Sequence, residues 1–143
     1  MLLEVEDLRV AFYTAAGTVQ AVGGVSFSLN KGEVLGIVGE SGSGKSVTAY
    51  TILQLLPKTN MELSGSVRFE GRELIGAPKQ LLQKLRGNRI SMIFQDPMTS
   101  LNPTHTIGWQ LMEAIRLHTD RNKAQVRRRA VELLELVKVS EPE

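Results

Sequence analysis

The chain has 143 residues, 42% of them hydrophobic and 22% charged, which suits one globular domain able to bury its own core. It holds no cysteine, so disulfides and thiolate metal sites are excluded. Seventeen basic residues against fifteen acidic ones leave +2, too small an excess to announce a nucleic-acid surface by itself. "MLLEVEDL" has acids where a signal peptide has its basic region, and no run approaches the ~20 apolar residues that span a bilayer. These features predict a cytoplasmic protein with no nucleic-acid partner, touching a membrane only through partners.

In chain order, "LLEVEDLRVAF" alternates apolar and polar residues, with Leu3, Val5, then Leu8, Val10 and Phe12 apolar, and reads as a half-buried strand. "VQAVGGVSFSL" reads as a second strand through Val22, Val25, Phe27 and Leu29, and Asn30–Gly32 as a turn. Glu33–Gly39, "EVLGIVG", is a continuous apolar run, the pattern of a strand buried on both faces. A glycine-rich loop follows, then a helical stretch through Leu56, stopped by Pro57. Ser64–Leu74 reads as strand, turn at Glu70-Gly71, strand. "APKQLLQKLRG" reads as a short helix with Pro78 in its first turn and Gly87 closing it. "NRISMIF" reads as another strand. Two helices then follow, one with Ile107, Leu111 and Ile115 at four-residue spacing. The other has Asp120 as N-cap and Val126, Ala130, Leu133, Leu134 and Val137 on one face.

"GESGSGKS", Gly39–Ser46, matches the phosphate-loop pattern G-x-x-x-x-G-K-[ST] in full, between an apolar run and a helix. Gly39, Gly42 and Gly44 permit backbone angles and close approaches that a side chain would block. The loop N–H groups and the helix N-terminus cradle anionic oxygens, so Glu40, Ser41 and Ser43 bind through backbone. Lys45 sets a point charge against the outer phosphates, and the Ser46 hydroxyl is placed to ligate Mg²⁺.

Two stretches look like further parts of a nucleotide site. Asp96 ends an apolar run, but Gln95 precedes it and Pro97 follows, so the polar residue at the strand end is Gln95. A compact stand-alone NTPase holding its metal on Asp96 is therefore disfavoured. "LSGS", Leu63–Ser66, has no second glycine and no helix after it, and reads as a turn into the strand "SVRF".

With "AVGGVSFSLNKGEVLGIVGESGSGKSVTA", "MIFQDPMTSLNPTHTIGWQLMEAIRLH" and the spacing between them, the chain resembles the N-terminal part of ABC transporter ATP-binding subunits. More narrowly it resembles those of oligopeptide and dipeptide importers, a group that includes nickel and glutathione systems. The resemblance covers essentially the whole chain. It implies an α/β P-loop NTPase fold of ABC type, represented by its N-terminal part. Residues 1–30 and 62–76 would form an antiparallel β subdomain, residues 31–61 and 86–96 the nucleotide-binding core, and residues 97–143 the start of the helical subdomain.

The resemblance implies ATP and Mg²⁺ as ligands, with Lys45 and Gln95 as catalytic groups. Gln95 matches the Q-loop glutamine, which reaches the Mg²⁺ and attacking-water region, so Ser46 and Gln95 are the metal-side candidates. Phe12 matches the aromatic that stacks on adenine, with Tyr13 as the neighbouring alternative; Phe12 also continues the strand alternation, as a core residue would. Membrane permeases would dock at the Q-loop and helical subdomain, and a second ATP-binding subunit would complete a homo- or heterodimer. The protein would sit peripherally on the inner face of the cell membrane.

The family pattern continues beyond "ELLELVKVSEPE" with a signature helix, an Asp for Mg²⁺, a catalytic Glu and a switch His; none has a match here. The chain accordingly reads as a truncated ATP-binding domain, expected to bind nucleotide weakly and not to hydrolyse it at a useful rate. The competing reading is a non-catalytic nucleotide- or partner-binding fragment. His105 and His118 read as surface or capping residues, and Trp109 and Met112 as packing residues or lining of the permease groove. Arg127–Arg129 fan around a helix and read as a solvated face paired by Glu132 and Glu135.

Overall fold

The computed structural model describes residues 1–95 and 100–141. The chain divides into two compact units, 1–83 and 84–143.

The first unit is built on a four-stranded antiparallel sheet in the order β2-β1-β3-β4, from β1 (Leu3–Thr14), β2 (Gly17–Leu29), β3 (Met61–Phe69) and β4 (Arg72–Glu73). The central strand β1 buries Val5, Leu8, Val10 and Ala11, joined by Val22 of β2 and Val67 and Phe69 of β3. The spacing from Val5 to Leu8 is three, not two, because β1 bulges. Asp7 has φ +40, and the register shifts on both neighbouring strands at this point. The Asp7 N–H donates to Ser26 Oγ at 2.8 Å. Across the bulge stands Gly65, at φ +98, where a Cβ would lie 2.5–2.6 Å from the Asp7 and Glu6 carbonyl oxygens. "LSGS" is therefore part of β3, not a turn ahead of it: its glycine lets β3 pass the bulge in β1.

β3 and β4 are joined by Glu70 (φ +49) and Gly71 (φ +75), a two-residue connection with both φ positive, as hairpin twist favours. Glu73 fixes the hairpin by accepting from the N–H groups of Val67, Leu74 and Ile75 and from the Ser66 hydroxyl. Helix α1 (Lys45–Ile52) is shorter than its sequence pattern. It ends at Ile52 because Gln54 turns left-handed at φ +52 and the Leu55 N–H reaches back to the Tyr50 carbonyl. Its buried polar residues, Thr48 and Thr51, return their hydroxyls to the carbonyls of Gly44 and Val47.

Glu33–Gly39, expected as a strand buried on both faces, is an irregular segment with no ladder partner. Val34 is 99% and Val38 93% exposed. Apolarity suits a strand to burial, but neighbouring strands must supply it, and the described residues offer this segment none.

Helix α2 (Lys79–Leu85) runs across the division between the units at 83/84 and ends at Leu85, with Gly87 two residues on at φ +77. "NRISMIF" makes one parallel bridge, Ile90 with Arg86, and is otherwise irregular; Ile93 is 97% exposed. Helices α3 (Ile107–His118) and α4 (Lys123–Leu136) pack together, burying Val126 and Ala130. Leu133 and Leu134 are half-buried, but Val137 is exposed at the C-cap. The N-cap of α4 is Asn122, not Asp120. Asn122 and Gln125 exchange side chain-to-backbone hydrogen bonds in a full capping box, for which Asp120 stands two residues too early.

Candidate functional site

The loop Gly39–Ser46 lies in the first unit and is shaped by its glycines and by Lys45. Gly42 and Gly44 have φ +83 and +89, the left-handed region that only glycine enters at no steric cost. Gly44 is also the N-cap of α1, and a Cβ there would overlap the Ala21 carbonyl of β2 and meet Val22 Cγ2 at 3.3 Å. Gly39 carries a different constraint: a Cβ would stand 2.6 Å from Ser43 Oγ. The two glycine positions thus close the loop on itself at one end and seat it against the sheet at the other.

Lys45 ties the loop together. Its Nζ donates to the carbonyls of Gly39 and Glu40, both at 2.7 Å, and approaches Ser43 Oγ at 3.3 Å. The Ser43 N–H donates to the Glu40 carbonyl at 3.2 Å. An ammonium has three donors, and two are committed to short bonds with the loop itself. The third, now on the longer Ser43 contact, is the one an anion would take most easily.

The first helical bond of α1 runs from the Thr48 N–H to the Gly44 carbonyl, 2.8 Å. The N–H groups of Lys45, Ser46 and Val47 therefore have no partner within the helix and lie at its positive end. No acidic residue occupies the first turn, so nothing in the helix neutralises that end. Ser46, exposed, presents its hydroxyl there. Such an arrangement can cradle anionic oxygens: backbone donors are open, positive charge is present, and glycines limit the side chains around them. For Mg²⁺ the same end offers one oxygen, from Ser46, while carboxylates are absent from its first turn.

The two aromatic candidates differ. Phe12 is half-buried and pairs with Val19 and Met61 across the sheet. It shares a strand face with Val10, whose cross-strand partner is the Val22 that would meet a Cβ on Gly44. Tyr13 points to the opposite face and is 49% exposed, its hydroxyl donating to Glu62 at 2.6 Å. That hydrogen bond, and then the Glu62 charge, raise the Tyr13 pKa above the usual phenol range.

Gln95 is exposed and belongs to the second unit; Asp96 and Pro97 lie outside the described residues. His105 precedes the Thr106 N-cap of α3 and stacks on Trp109 at 4.2 Å between centroids. Trp109, expected either to pack or to line the permease groove, is 41% exposed, and Met112 is half-buried. Gln110 organises the approach to α3, accepting from the Asn102 N–H and donating to the carbonyls of Asn102 and His105. This brace was not foreseen, because a glutamine spanning eight residues leaves no local sequence signal. The seat of Gly44 on the Ala21 carbonyl was equally hidden. Of the three consecutive arginines, Arg129 pairs with Glu132 at 3.1 Å, whereas Arg127 and Arg128 border one shallow groove with Ala124, Val131, Glu132 and Glu135.

Residues 22–142 match the family model described as ABC transporter. The chain is 53% identical over 140 residues to the oligopeptide transport ATP-binding protein OppD of Escherichia coli, covering 98% of this chain and 41% of that protein. It is 52% identical over 141 residues to the OppD of Salmonella typhimurium, covering 99% of this chain and 42% of the relative. The chain therefore spans about two fifths of the length of these relatives. Among solved structures, the dimeric structure of MJ0796, a bacterial ABC transporter cassette, aligns with a TM-score of 0.78 at 22% identity, over 98% of this chain and 59% of that one. MJ0796 in a post-hydrolysis state bound to ADP and Pi aligns at 0.79, also at 22% identity.

Proposed function

The chain belongs to the ABC transporter family, and we propose that it is the nucleotide-facing N-terminal part of the ATP-binding subunit of a peptide importer. The observation that carries the nucleotide reading is the folded loop Gly39–Ser46, with Lys45 anchored on two of its carbonyls and the open N–H groups of α1 beside it. Gly39, Glu40, Ser41, Gly42, Ser43 and Gly44 would surround the phosphates of ATP through backbone. Lys45 and the first turn of α1 would hold their charge. Phe12, on the strand face that carries Val10, would stack on the base, whereas the Tyr13 hydroxyl is engaged by Glu62 on the other face. Ser46 and Gln95 would act on the metal side. Mg²⁺ bound with ATP neutralises phosphate charge; this chain offers it few ligands, so tight Mg²⁺-dependent turnover is not expected of it.

Peptide cargo is drawn from the oligopeptide transport proteins at 52–53% identity. Nickel or glutathione remain the alternative cargoes, since the nucleotide-binding part need not touch what is carried. In the intact transporter the Gln95 region and α3–α4 would meet the permeases, and a second ATP-binding subunit would complete the site. No helix among the described residues is long and apolar enough to cross a membrane, which accords with a peripheral place on the inner face of the cell membrane. The unpaired run Glu33–Gly39 favours a second reading for the isolated chain, a nucleotide-binding fragment without turnover.

Equilibrium binding of a fluorescent ATP analogue tests the proposal. The chain is expected to bind it, and Lys45→Ala to weaken binding by roughly tenfold or more, the scale of a charge-assisted contact. Equal binding by both proteins would overturn the nucleotide reading. Sustained phosphate release by the chain, lost in Lys45→Ala, would overturn the expectation of no turnover.

A further inference from the structure

The charge of this molecule is unevenly placed. Between Arg116 and Arg129 six cations stand against one acid, Asp120, a net +5. The whole chain carries +2, so the rest of it carries −3. Five of those cations, Arg116, Arg121, Lys123, Arg127 and Arg128, are exposed on the end of α3, the connection after it and the start of α4. Among the described residues none of the five is in an ion pair; the sixth, Arg129, is held by Glu132. Leaving so many cations unpaired within fourteen residues of chain costs self-repulsion that an anionic surface would relieve. In their midst Leu117 is 72% exposed, an apolar side chain with nothing on it, flanked by Arg116 in sequence.

We propose that this basic corner of the second unit, with Leu117 at its tip, docks directly on the anionic headgroups of a lipid bilayer. A cluster of four to eight Lys and Arg residues is the usual signature of attraction to acidic lipid, and a protruding leucine adds an anchor that enters the headgroup layer. Membership of a transporter family puts a membrane within reach, and lipid contact here would add to the permease contact proposed for the Gln95 region and α3–α4, although composition had pointed to membrane contact through partners alone. The groove bordered by Arg127 and Arg128 also holds Glu132 and Glu135, which limits the attractive surface to the N-terminal half of α4. Nucleic acid shares the phosphate chemistry but has no use for Leu117, and the cluster contains no Phe, Tyr or Trp on which bases could stack, its one ring being the half-buried His118.

The purified chain is mixed with vesicles of phosphatidylcholine, alone or with phosphatidylglycerol, and the bound fraction is read by co-sedimentation without nucleotide. Binding is expected only with phosphatidylglycerol, and to fade as salt rises from ~0.05 to ~0.5 M and the Debye length contracts. Arg127→Ala with Arg128→Ala should weaken partitioning by about thirtyfold, the equivalent of two cations. Arg116→Gln with Arg121→Gln should act similarly at the other side of the corner. All four side chains are exposed, and circular dichroism checks that helix content is kept. Leu117→Asn should weaken vesicle binding but leave any binding of a short DNA duplex unchanged. Lys45→Ala should leave vesicle binding intact, separating this surface from the nucleotide loop. Equal binding to both vesicle types, no response to either arginine pair, or tighter binding to the duplex than to the vesicles with no effect of Leu117→Asn would each overturn the proposal.

Discussion

Leu3–Ala11 and Glu33–Gly39 both read as strands from their apolar patterns, and their fates differ. The first lies between two antiparallel neighbours and buries Val5, Leu8 and Val10 to 1% exposure or less. The second has Val34 and Val38 in solvent and no ladder at all. The difference lies in the neighbours: β2 and β3 arrive within the same unit and antiparallel, whereas no described residue pairs with Glu33–Gly39. Apolar side chains state a demand for burial, and topology decides whether it is met.

The largest expected effect tests the buried side. Leu8→Ala empties a fully enclosed position in the sheet and should cost about 2–5 kcal/mol, read as a lower urea midpoint by far-ultraviolet circular dichroism. Val34→Ala, chemically similar, should move the midpoint by less than ~0.5 kcal/mol. Equal effects would break the comparison. Gly65→Ala sharpens it at the bulge. Its φ of +98 and the two carbonyls within 2.6 Å of a Cβ leave no room, and a loss of about 1–3 kcal/mol is expected.

The antiparallel sheet was legible because its pairings are local. Alternation in β1 and β2 and the Glu70-Gly71 turn fixed the strands, and only the three-residue step from Val5 to Leu8 hid the bulge. Gly65 was misread as a turn because its partner, the Asp7 carbonyl, is 58 positions away in sequence. The glycines and the Lys45 anchor of Gly39–Ser46 were open to sequence reasoning, since they act within the loop, whereas the seat of Gly44 on the Ala21 carbonyl of β2 was not. The strand expected at Glu33–Gly39 could not be judged from its own residues, because a two-faced burial is a property of its neighbours. Asp120 was chosen as a cap for its type, and Asn122 won because its reciprocal partner, Gln125, stands three residues on.

That capping box gives a smaller effect in the second unit. Asn122→Ala removes the acceptor for the Gln125 N–H and should cost about 1 kcal/mol, seen as reduced helix signal and earlier melting of α4. Glu73 gives a pH-dependent effect in the first. Burial alone would push its carboxyl up, but hydrogen bonds from Ser66, Val67, Ile75 and Leu74 together outweigh burial and hold it below the usual range. A carboxyl depressed in the fold stabilises above its unfolded pKa, and that contribution fades as pH falls through the folded value. Glu73→Gln should therefore lower the urea midpoint near neutrality, with the gap to wild type closing in acid. Its side chain is 42% exposed, so solvent screening keeps the gap below ~1 kcal/mol.

The smallest expected effect bears hardest on the comparison. Val38 stands beside the phosphate loop and is 93% exposed. Val38→Asp would be ruinous in a strand buried on both faces, where an unpaired carboxylate costs several kcal/mol. At an exposed position it should leave the urea midpoint within ~0.5 kcal/mol of wild type. It should also lower light scattering at high concentration, since a charge interrupts an apolar run whose backbone is open to pairing with another chain. A large loss of stability would mean that the run is covered in solution. If that loss grew with protein concentration, a second copy would be the cover; if it did not, a segment of the same chain would be. Either result would return Glu33–Gly39 to the class of Leu3–Ala11 and show that its demand for burial had been met after all.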